Sequence, residues 1–471
     1  MPNTAASSEN QVVQNPLSVR PGLVLTALLI CQLMIVLDVT VMNVALPRIK
    51  SDLHFSATGL AWVIDAYTLV FGGLLLLGGR AGDMLGRRRI FIAGIALFTL
   101  ASLLGGLAPA AGWLVVARVA QGAGAAMAGP NALALLTTIF TEPKARLRAL
   151  ALYSGMAGAG FAIGLIVGGF LTEWFTWRSV LFINVPLGVL VLFVALRYMP
   201  VVARQPGRLD LPGAVTSTAG VAALVYGFVS AGSHGWNDAV TDVSLIIGSV
   251  MIVAFVVIEL RSEAPLLQLR LFADRNRGVA YFNLFVGYMG SMSMFFFLTL
   301  YMQDVRGMGP LTTGLAFLPT AVLMFALIRL IPWLLPKFGP KPMTMIGSLF
   351  LIAGLVLPTQ LSTDTAYFPL VFIVAVLMGC GTALALMPLG VIIMTSVPSS
   401  SAGVAGGALQ TIQQTGAALG LAILVTVFGA SEQGAVGPPD QVLVSGITAA
   451  FAAAAVMGVL NFLGTFAFRR V

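Results

Sequence analysis

The stretch IFIAGIALFTLASLLGGLA, from Ile90 to Ala108, contains nineteen residues and no charged side chain. At 1.5 Å per residue, a helix of this length crosses the roughly 30 Å hydrocarbon core of a bilayer. Because the stretch is continuously apolar instead of alternating between apolar and polar residues, it predicts a transmembrane helix and argues against a transmembrane β-strand.

The composition of the whole chain agrees with this reading. Of the 471 residues, 58% are hydrophobic and 9% are charged, and the mean hydropathy is +0.98. A soluble domain carries about 25% charged residues. The formal charge of +8 is therefore not the footprint of a nucleic-acid-binding protein, and we expect a multi-pass membrane protein with no nucleic-acid partner.

Fourteen apolar runs follow the polar segment 1–21, and the first run is too long for the core of a cleaved signal peptide. We place the predicted spans at 22–46, 58–79, 89–109, 112–139, 147–172, 180–199, 211–231, 242–260, 278–303, 311–335, 343–361, 366–396, 401–430 and 444–468. The sequence thus predicts an all-α membrane protein with an even number of spans.

The lysines and arginines indicate how these spans are oriented. In the fourteen-span arrangement, 19 of the 25 basic residues fall on one side of the membrane. The exceptions are Arg48, Lys50, Arg178 and Arg306 on the other side, with Arg118 and Arg329 inside spans. By the positive-inside rule, both termini are expected to be cytoplasmic.

Three ionisable residues lie within the predicted spans at a similar depth. Asp38, Asp65 and Arg118 each fall about 9 to 12 Å below the outer surface, at 1.5 Å per helical residue. A charged residue at membrane depth costs about 2.5 to 3.5 kcal/mol, so such residues usually face a polar interior and have a function. The alternative for the two carboxylates is an ordinary position near the membrane interface.

If these three helices are neighbours, two carboxylates and one guanidinium leave one negative charge. That charge would hold a proton or attract a lipophilic cation, and competition between the two would give antiport. We expect Asp38 to carry the proton, Arg118 to tune it, and Asp65 to favour cationic substrates. The reverse assignment of the two carboxylates stays open.

Other energy sources and chemistries lack support in the sequence. The chain has no GxxxxGK[ST] phosphate loop, no HExxH motif and no Ser-His-Asp arrangement. Cys31 and Cys380 stand alone in apolar stretches, without metal-ligand spacing. We therefore expect an ion gradient as the energy source, with no cofactor, no metal and no enzymatic activity.

Four motifs resemble the major facilitator superfamily, and in particular its fourteen-helix family of bacterial drug:proton antiporters. GRAGDMLGRRR (Gly79 to Arg89) is similar to the superfamily's loop between helices two and three. LDVTVMNVALP (Leu37 to Pro47) and WVIDAYTL (Trp62 to Leu69) look like the signatures of helices one and two, and RVAQGAGAA (Arg118 to Ala126) like that of helix four. In the family, the position of Arg118 is associated with proton coupling.

The resemblance implies the major facilitator fold, with two six-helix bundles, two additional helices between them, and a substrate site between the bundles near the midplane. It divides the chain into a cytoplasmic tail (1–21), an N-terminal bundle (22–200), two additional helices with their linkers (201–276) and a C-terminal bundle (277–471).

The resemblance also assigns residues to conformational change. In the helix two to three loop these are Gly79, Asp83, Gly86, Arg87 and Arg88, with Asp83 expected to clasp the two halves, against the helix that starts near Ser401. The stretch GFAIGLIVGG (Gly160 to Gly169) resembles the antiporter motif of helix five, with Leu165 where the motif has proline. Its glycines form a stripe for close helix packing, and they are Gly160, Gly164, Gly168 and Gly169.

Candidate substrate contacts are aromatic, methionine and amide side chains inside the spans, which suit varied lipophilic molecules. They are Asp65, Trp62, Gln121, Asn283, Tyr288, Met292, Phe296, Gln410 and Gln414. The resemblance implies a monomeric, proton-coupled exporter of lipophilic, cationic drugs or antibiotics in the bacterial cytoplasmic membrane. The alternatives are an exporter of one endogenous metabolite or siderophore, and a membrane sensor of the same fold that does not transport.

Overall fold

The computed structural model describes residues 20–201, 204, 209–262, 265–397 and 402–469, and the regular secondary structure within these ranges is helical. The predicted tail at 1–21 lies almost entirely outside the described residues, as does Ser401. Thirteen described helical runs are long and apolar enough to cross a membrane. A further helix, Ala111–Ile139, has 29 residues and is also long enough.

These fourteen runs correspond one to one with the predicted spans. They are α1 (Pro21–Leu53), α2 (Gly59–Leu85), α3 (Arg87–Gly106), α4 (Ala111–Ile139), α5 (Pro143–Trp174), α6 (Ser179–Tyr198), α7 (Leu211–His234), α8 (Ala239–Arg261), α9 (Arg275–Val305), α10 (Pro310–Phe338), α11 (Pro340–Gln360), α12 (Tyr367–Thr395), α13 (Ala402–Gly434) and α14 (Pro439–Thr465). A short 3-10 turn, Leu269–Phe272, precedes α9.

The predicted ends differ from the observed ends where a helix continues beyond its apolar core. The prediction ended α1 before Pro47, but the helix runs on to Leu53 with Pro47 inside it. A proline removes one backbone hydrogen bond, and a membrane helix tolerates that loss where neighbouring groups satisfy the freed carbonyl. Similarly, α14 begins at Pro439, because polar residues outside the apolar core still form a helical turn.

The helices pack into two bundles with an additional pair between them. Helices α1 to α6 contact one another, and α9 to α14 form a second set with their own contacts. Helix α7 packs against α8, against α2 of the first bundle and against α13 of the second, whereas α8 contacts mainly α7. The residue boundaries of these segments stay a prediction.

The two bundles are joined at one end of the molecule. We call the end at which α2 turns into α3, with Arg87, the basic end, and the other the opposite end. At the opposite end, Lys50 Nζ lies 2.8 Å from Asp304 Oδ2. There Gln303 Nε2 also donates to the carbonyl oxygen of Val44 at 2.9 Å, so α1 and α9 are tied together.

Helices α5 and α10 strengthen this closure. The backbone N–H of Leu311 donates to Glu173 Oε2 at 2.8 Å, and Gly169 packs directly against Leu311. The rings of Phe161 and Phe295 meet edge to face, 5.3 Å apart. Together these contacts close the opposite end of the space between the bundles.

Candidate functional site

Asp38 and Arg118 meet in the interior of the first bundle. Arg118 Nη1 donates to Asp38 Oδ2, and the two side chains are 1% and 0% exposed. The long apolar runs of α1 and α4 carry these residues to the same depth, as the sequence predicted. A buried ion pair is tolerated only when its remaining donors and acceptors are also satisfied.

The surrounding helices supply those partners. Gln121 Nε2 and Asn184 Nδ2 donate to Asp38 Oδ1 at 3.0 and 2.9 Å. Arg118 donates through Nε to the carbonyl oxygen of Val63 at 2.8 Å and through Nη1 to Gln121 Oε1 at 3.0 Å. Asp38 therefore accepts hydrogen bonds from three side chains and carries a balanced charge.

Three members of this cluster were missed by the sequence reasoning. Asn184 lies on α6, Ser102 on α3 accepts from Gln121 Nε2 at 2.8 Å, and the ring of Tyr67 lies 4.5 Å from the guanidinium of Arg118. Asn184 carried a detectable signal, because an asparagine inside a span needs a polar partner. Ser102 and Tyr67 carried none, since serine can bond to its own helix and tyrosine is common near membrane interfaces.

Gln121 has a different position from the one predicted. The sequence analysis placed it among the substrate contacts, but its side chain is fully buried between Asp38, Arg118 and Ser102. It lies one turn after Arg118 on α4, so both side chains occupy the same helix face. A buried amide bonded on both sides has no group left for a substrate.

Asp65 does not join the Asp38 cluster. Val63 and Tyr67, two residues before and after it, both face Arg118, so Asp65 points about 200° away around α2. One turn further, Leu69 packs with residues of α7 and α13. The expectation that three ionisable groups meet is therefore correct for Asp38 and Arg118 and wrong for Asp65.

The carboxylate of Asp65 is buried and unsatisfied. The residue is 0% exposed, and neither Oδ1 nor Oδ2 has a hydrogen-bond partner among the described residues. An unpaired carboxylate in an apolar environment is costly as an anion, so its neutral, protonated form is favoured there. The molecule thus holds two buried aspartates in contrasting environments, one fully bonded and one without a partner.

Three of the predicted substrate contacts lie on α9, where Tyr288, Met292 and Phe296 follow one another at intervals of four residues. Tyr288 and Met292 are half-buried, whereas Phe296 is completely buried. Residues at this spacing share one helix face. The face is partly accessible at Tyr288 and Met292 and closed at Phe296, toward the opposite end.

Other predicted substrate contacts divide in the same way. Gln410 on α13 is exposed and Gln414, one turn further along, is half-buried with its Cβ beside Gly72 of α2. Trp62 instead packs on α7, with its ring 5.9 Å from that of Tyr226. Asn283 is fully buried, and its carbonyl oxygen accepts a hydrogen bond from α14, so it joins two helices instead of lining the cavity.

The loop between α2 and α3 turns sharply at Gly86, and its aspartate pairs with an arginine at the start of α3. Gly86 has a φ of +108°, which a residue with a side chain rarely adopts. Asp83 Oδ1 accepts from Arg87 Nε at 2.9 Å, and Arg87 Nη1 donates to Thr138 Oγ1 of α4 at 2.9 Å. The described contacts of Asp83 are thus within the first bundle, and its predicted partner near Ser401 lies outside the described residues.

Close packing of α2 occurs beside the predicted glycine. A Cβ on Gly79 would meet only Pro130 at an ordinary 3.5 Å, whereas a Cβ on Gly78 or Gly82 would overlap α4. Gly78 and Gly82 lie one turn apart, so both are on the face of α2 that packs against α4. The tight contact of α2 with α4 is therefore made at Gly78 and Gly82, and Gly79 lies beside it.

The glycine stripe of α5 packs against α1, as the pattern indicated. A Cβ at Gly160, Gly164 or Gly168 would press on residues of α1, and Gly169 faces α10 instead. Helix α5 runs without interruption from Pro143 to Trp174, in agreement with the absence of a proline at Leu165. The stripe therefore fixes α5 on its own bundle, and Gly169 lies at the junction of the two.

The chain is similar in sequence to known export and resistance proteins. A family profile described as Major Facilitator Superfamily matches residues 28–421. The cephamycin export protein CmcT of Amycolatopsis lactamdurans is 41% identical over 406 residues, which cover 85% of this chain and 84% of the relative. The puromycin resistance protein pur8 of Streptomyces alboniger is 42% identical over 408 residues, or 86% and 81% of the two chains.

Solved structures support the same fold. The nucleoside transporter NupG matches with a TM-score of 0.67 at 12% identity, over 95% of this chain and 100% of that chain. The peptide transporter POT matches with a TM-score of 0.66 at 16% identity, over 93% and 94% of the two chains. The chain belongs to the major facilitator superfamily and is a multi-pass transporter of the cell membrane, not an enzyme.

Proposed function

We propose that this transporter exports antibiotics or other lipophilic drugs across the bacterial cytoplasmic membrane in exchange for protons. Export of such molecules is supported by the similarity to the cephamycin and puromycin proteins. The observation that carries proton exchange is the buried carboxylate of Asp65, which has no partner among the described residues.

Asp65 is the better candidate for the proton-carrying group, which reverses the expectation from the sequence. Asp38 already accepts three hydrogen bonds, one of them from Arg118, and a proton on it would disrupt that arrangement. A proton on Asp65 removes the cost of an unpaired buried charge. The two aspartates therefore have different roles: Asp65 carries the proton, and Asp38 and Arg118 form a structural pair.

The position of Asp65 links its protonation to movement of the bundles. Its face of α2 meets α7 and α13, and α13 belongs to the other bundle. While this face is closed, Asp65 is withheld from water and is stable as the neutral acid. For the exchange to export drug, the carboxyl takes up its proton when α2 and α13 separate at the opposite end. It loses that proton to the cytoplasm when water reaches it from the basic end, and the anion then attracts a cationic drug.

We further propose that the drug site lies between the bundles and is reached from the basic end. The bonds of Lys50 and Glu173 close the opposite end, while Gln410 is exposed and Tyr288 and Met292 are half-buried. We assign the basic end to the cytoplasm, by the excess of arginine there. In this conformation a cytoplasmic drug reaches Gln410, Gln414, Tyr288 and Met292.

The proposal is tested by efflux of fluorescent cationic dyes and of antibiotics from bacterial cells that lack other pumps. We expect the wild-type chain to lower the cellular drug content, and an uncoupler to abolish this effect. Export that persists after the proton gradient has been collapsed would overturn proton coupling. Failure to export any drug in the panel, from cells in which membrane insertion is verified, would overturn the drug-exporter assignment.

A further inference from the structure

A basic cavity lies at the surface of the first bundle, away from the space between the bundles. It has a volume of about 440 Å³ and lies where the α2–α3 turn meets the end of α6. Among the residues that the structure describes, its charged lining consists of Arg88, Arg89 and Arg204, without a carboxylate. A cavity with three guanidinium groups and no counter-charge is a site for an anion.

The three arginines are not equivalent. Arg88 donates to the carbonyl oxygens of Ala195 and Leu196 at 3.2 and 2.6 Å, so it caps the last turn of α6. Arg89 and Arg204 are exposed, and neither forms a hydrogen bond or ion pair with another described residue. The guanidinium N–H groups of Arg89 and Arg204 are therefore available to a ligand.

The turn at Gly86 brings these two arginines together. A Cβ at Gly86 would lie 3.9 Å from Arg204 Nε and 4.0 Å from Arg89 Cδ, so the two side chains converge over the glycine. Helix α3 begins at the same place, with Arg87, and no acidic residue occupies its first turn. The free backbone N–H groups of that turn add positive potential for an anion.

The remaining wall of the cavity is apolar and exposed. Leu85, Leu196 and Val201 are 48%, 59% and 41% exposed, and each lines the cavity. Ile92 and Ala93 continue this surface along α3, toward the membrane interior. A small, freely soluble anion makes no use of such a wall, whereas an acyl chain lies along it.

We propose that this cavity binds an anionic phospholipid, with its phosphate between Arg89 and Arg204 and an acyl chain along Leu85, Ile92 and Leu196. A phospholipid and a free phosphate ion would both be bound through a phosphate group, but only the lipid has an acyl chain to cover the apolar wall. Because Arg204 belongs to the connection between the first bundle and α7, the lipid joins that connection to the α2–α3 turn.

The test is native mass spectrometry of the full-length protein, released from nanodiscs that contain phosphatidylglycerol or only phosphatidylcholine. We expect phosphatidylglycerol to remain bound to the wild-type protein and phosphatidylcholine to dissociate. In the double variant Arg89→Gln/Arg204→Gln, affinity for phosphatidylglycerol should fall about 30-fold, since each basic residue near an anionic lipid contributes roughly fivefold. Arg88 is kept intact because it caps α6.

The charge-matched control is Arg261→Gln/Arg270→Gln, which removes two exposed arginines at the end of α8 and in the 3-10 turn before α9, neither of which lines this cavity. Equal loss of phosphatidylglycerol in this control would show attraction by net charge alone and would overturn the site. A second arm titrates inorganic phosphate in detergent and follows the unfolding temperature. Stabilisation by phosphate that the double variant abolishes, with no retained lipid, would identify a free anion as the ligand and overturn the lipid assignment.

Discussion

The two buried aspartates should respond in opposite ways to the same chemical change. Asp38→Asn and Asp65→Asn each replace a carboxylate with an amide of nearly equal size, in neighbouring helices of one bundle. Asp38 accepts hydrogen bonds from Arg118, Gln121 and Asn184, whereas Asp65 accepts none from the described residues. Any difference between the variants therefore reports on the environment of each carboxylate.

The expected magnitudes follow from these contacts. Asp38→Asn leaves Arg118, whose side chain is 1% exposed, without a counter-charge, and removal of one partner of a buried pair costs about 3 to 5 kcal/mol. The double variant Asp38→Asn/Arg118→Gln removes both charges and should regain most of that loss. Its residual cost is about 1 to 2 kcal/mol, because the hydrogen bond to the carbonyl oxygen of Val63 is lost. Asp65→Asn should leave stability unchanged or raise it.

Thermal unfolding of the purified variants in one detergent gives the order of stability. We expect Asp65→Asn to unfold at or above the wild-type temperature, then the double variant, and Asp38→Asn at the lowest temperature. Destabilisation of Asp65→Asn as large as that of Asp38→Asn would refute the contrast between a bonded and an unpaired carboxylate. An equally unstable double variant would refute the role of the unpaired guanidinium.

Three further predictions concern packing and closure. Gly86→Ala should lower the free energy of unfolding by about 1 to 2 kcal/mol, since its φ of +108° strains any residue with a Cβ. Thermal unfolding measures this loss, and a loss no larger than that of the control Gly112→Ala would contradict the prediction. Gly164→Leu should reduce the amount of folded protein in the membrane, because a side chain there collides with Thr40 of α1. The control Gly155→Leu, whose Cβ meets nothing within 4 Å, should be tolerated. Equal amounts of the two variants by size-exclusion chromatography would argue against close packing of α5 on α1. Lys50→Cys/Asp304→Cys, in a variant without native cysteines, should be bridged by a bis-methanethiosulfonate cross-linker that replaces the reach of the ion pair, and the bridge should block export until reductant cleaves it. Undiminished drug efflux by fully cross-linked protein would show that the opposite end need not open.

The sequence was sufficient to predict the helices and the meeting of Asp38 with Arg118. Span positions follow from apolar length, and the depth of a residue follows from the helical rise, so both are local properties. The rotation of a helix about its axis is not local. Asp65 lies at the predicted depth on the wrong face, because the face of α2 is set by packing against α4, α7 and α13.

Residues that complete the site were hard to predict for the same reason. Gln121 and Asn283 are predicted substrate contacts because they are amides inside spans, but the groups that they bond to belong to the protein. Gly78 and Gly82, not Gly79, pack tightly on α4. In each case the residue type was informative, while the partner depended on which helices are neighbours.

The most direct test of proton exchange through Asp65 is drug transport by purified protein in liposomes with an imposed pH gradient. Proton movement should be followed at the same time with a pH-sensitive dye. We expect wild-type protein to couple drug movement to opposite proton movement. Asp65→Asn should retain exchange of drug for drug without a gradient but lose both the response to pH and the proton flux. Full gradient-driven transport by Asp65→Asn would contradict the assignment of Asp65 as the proton carrier.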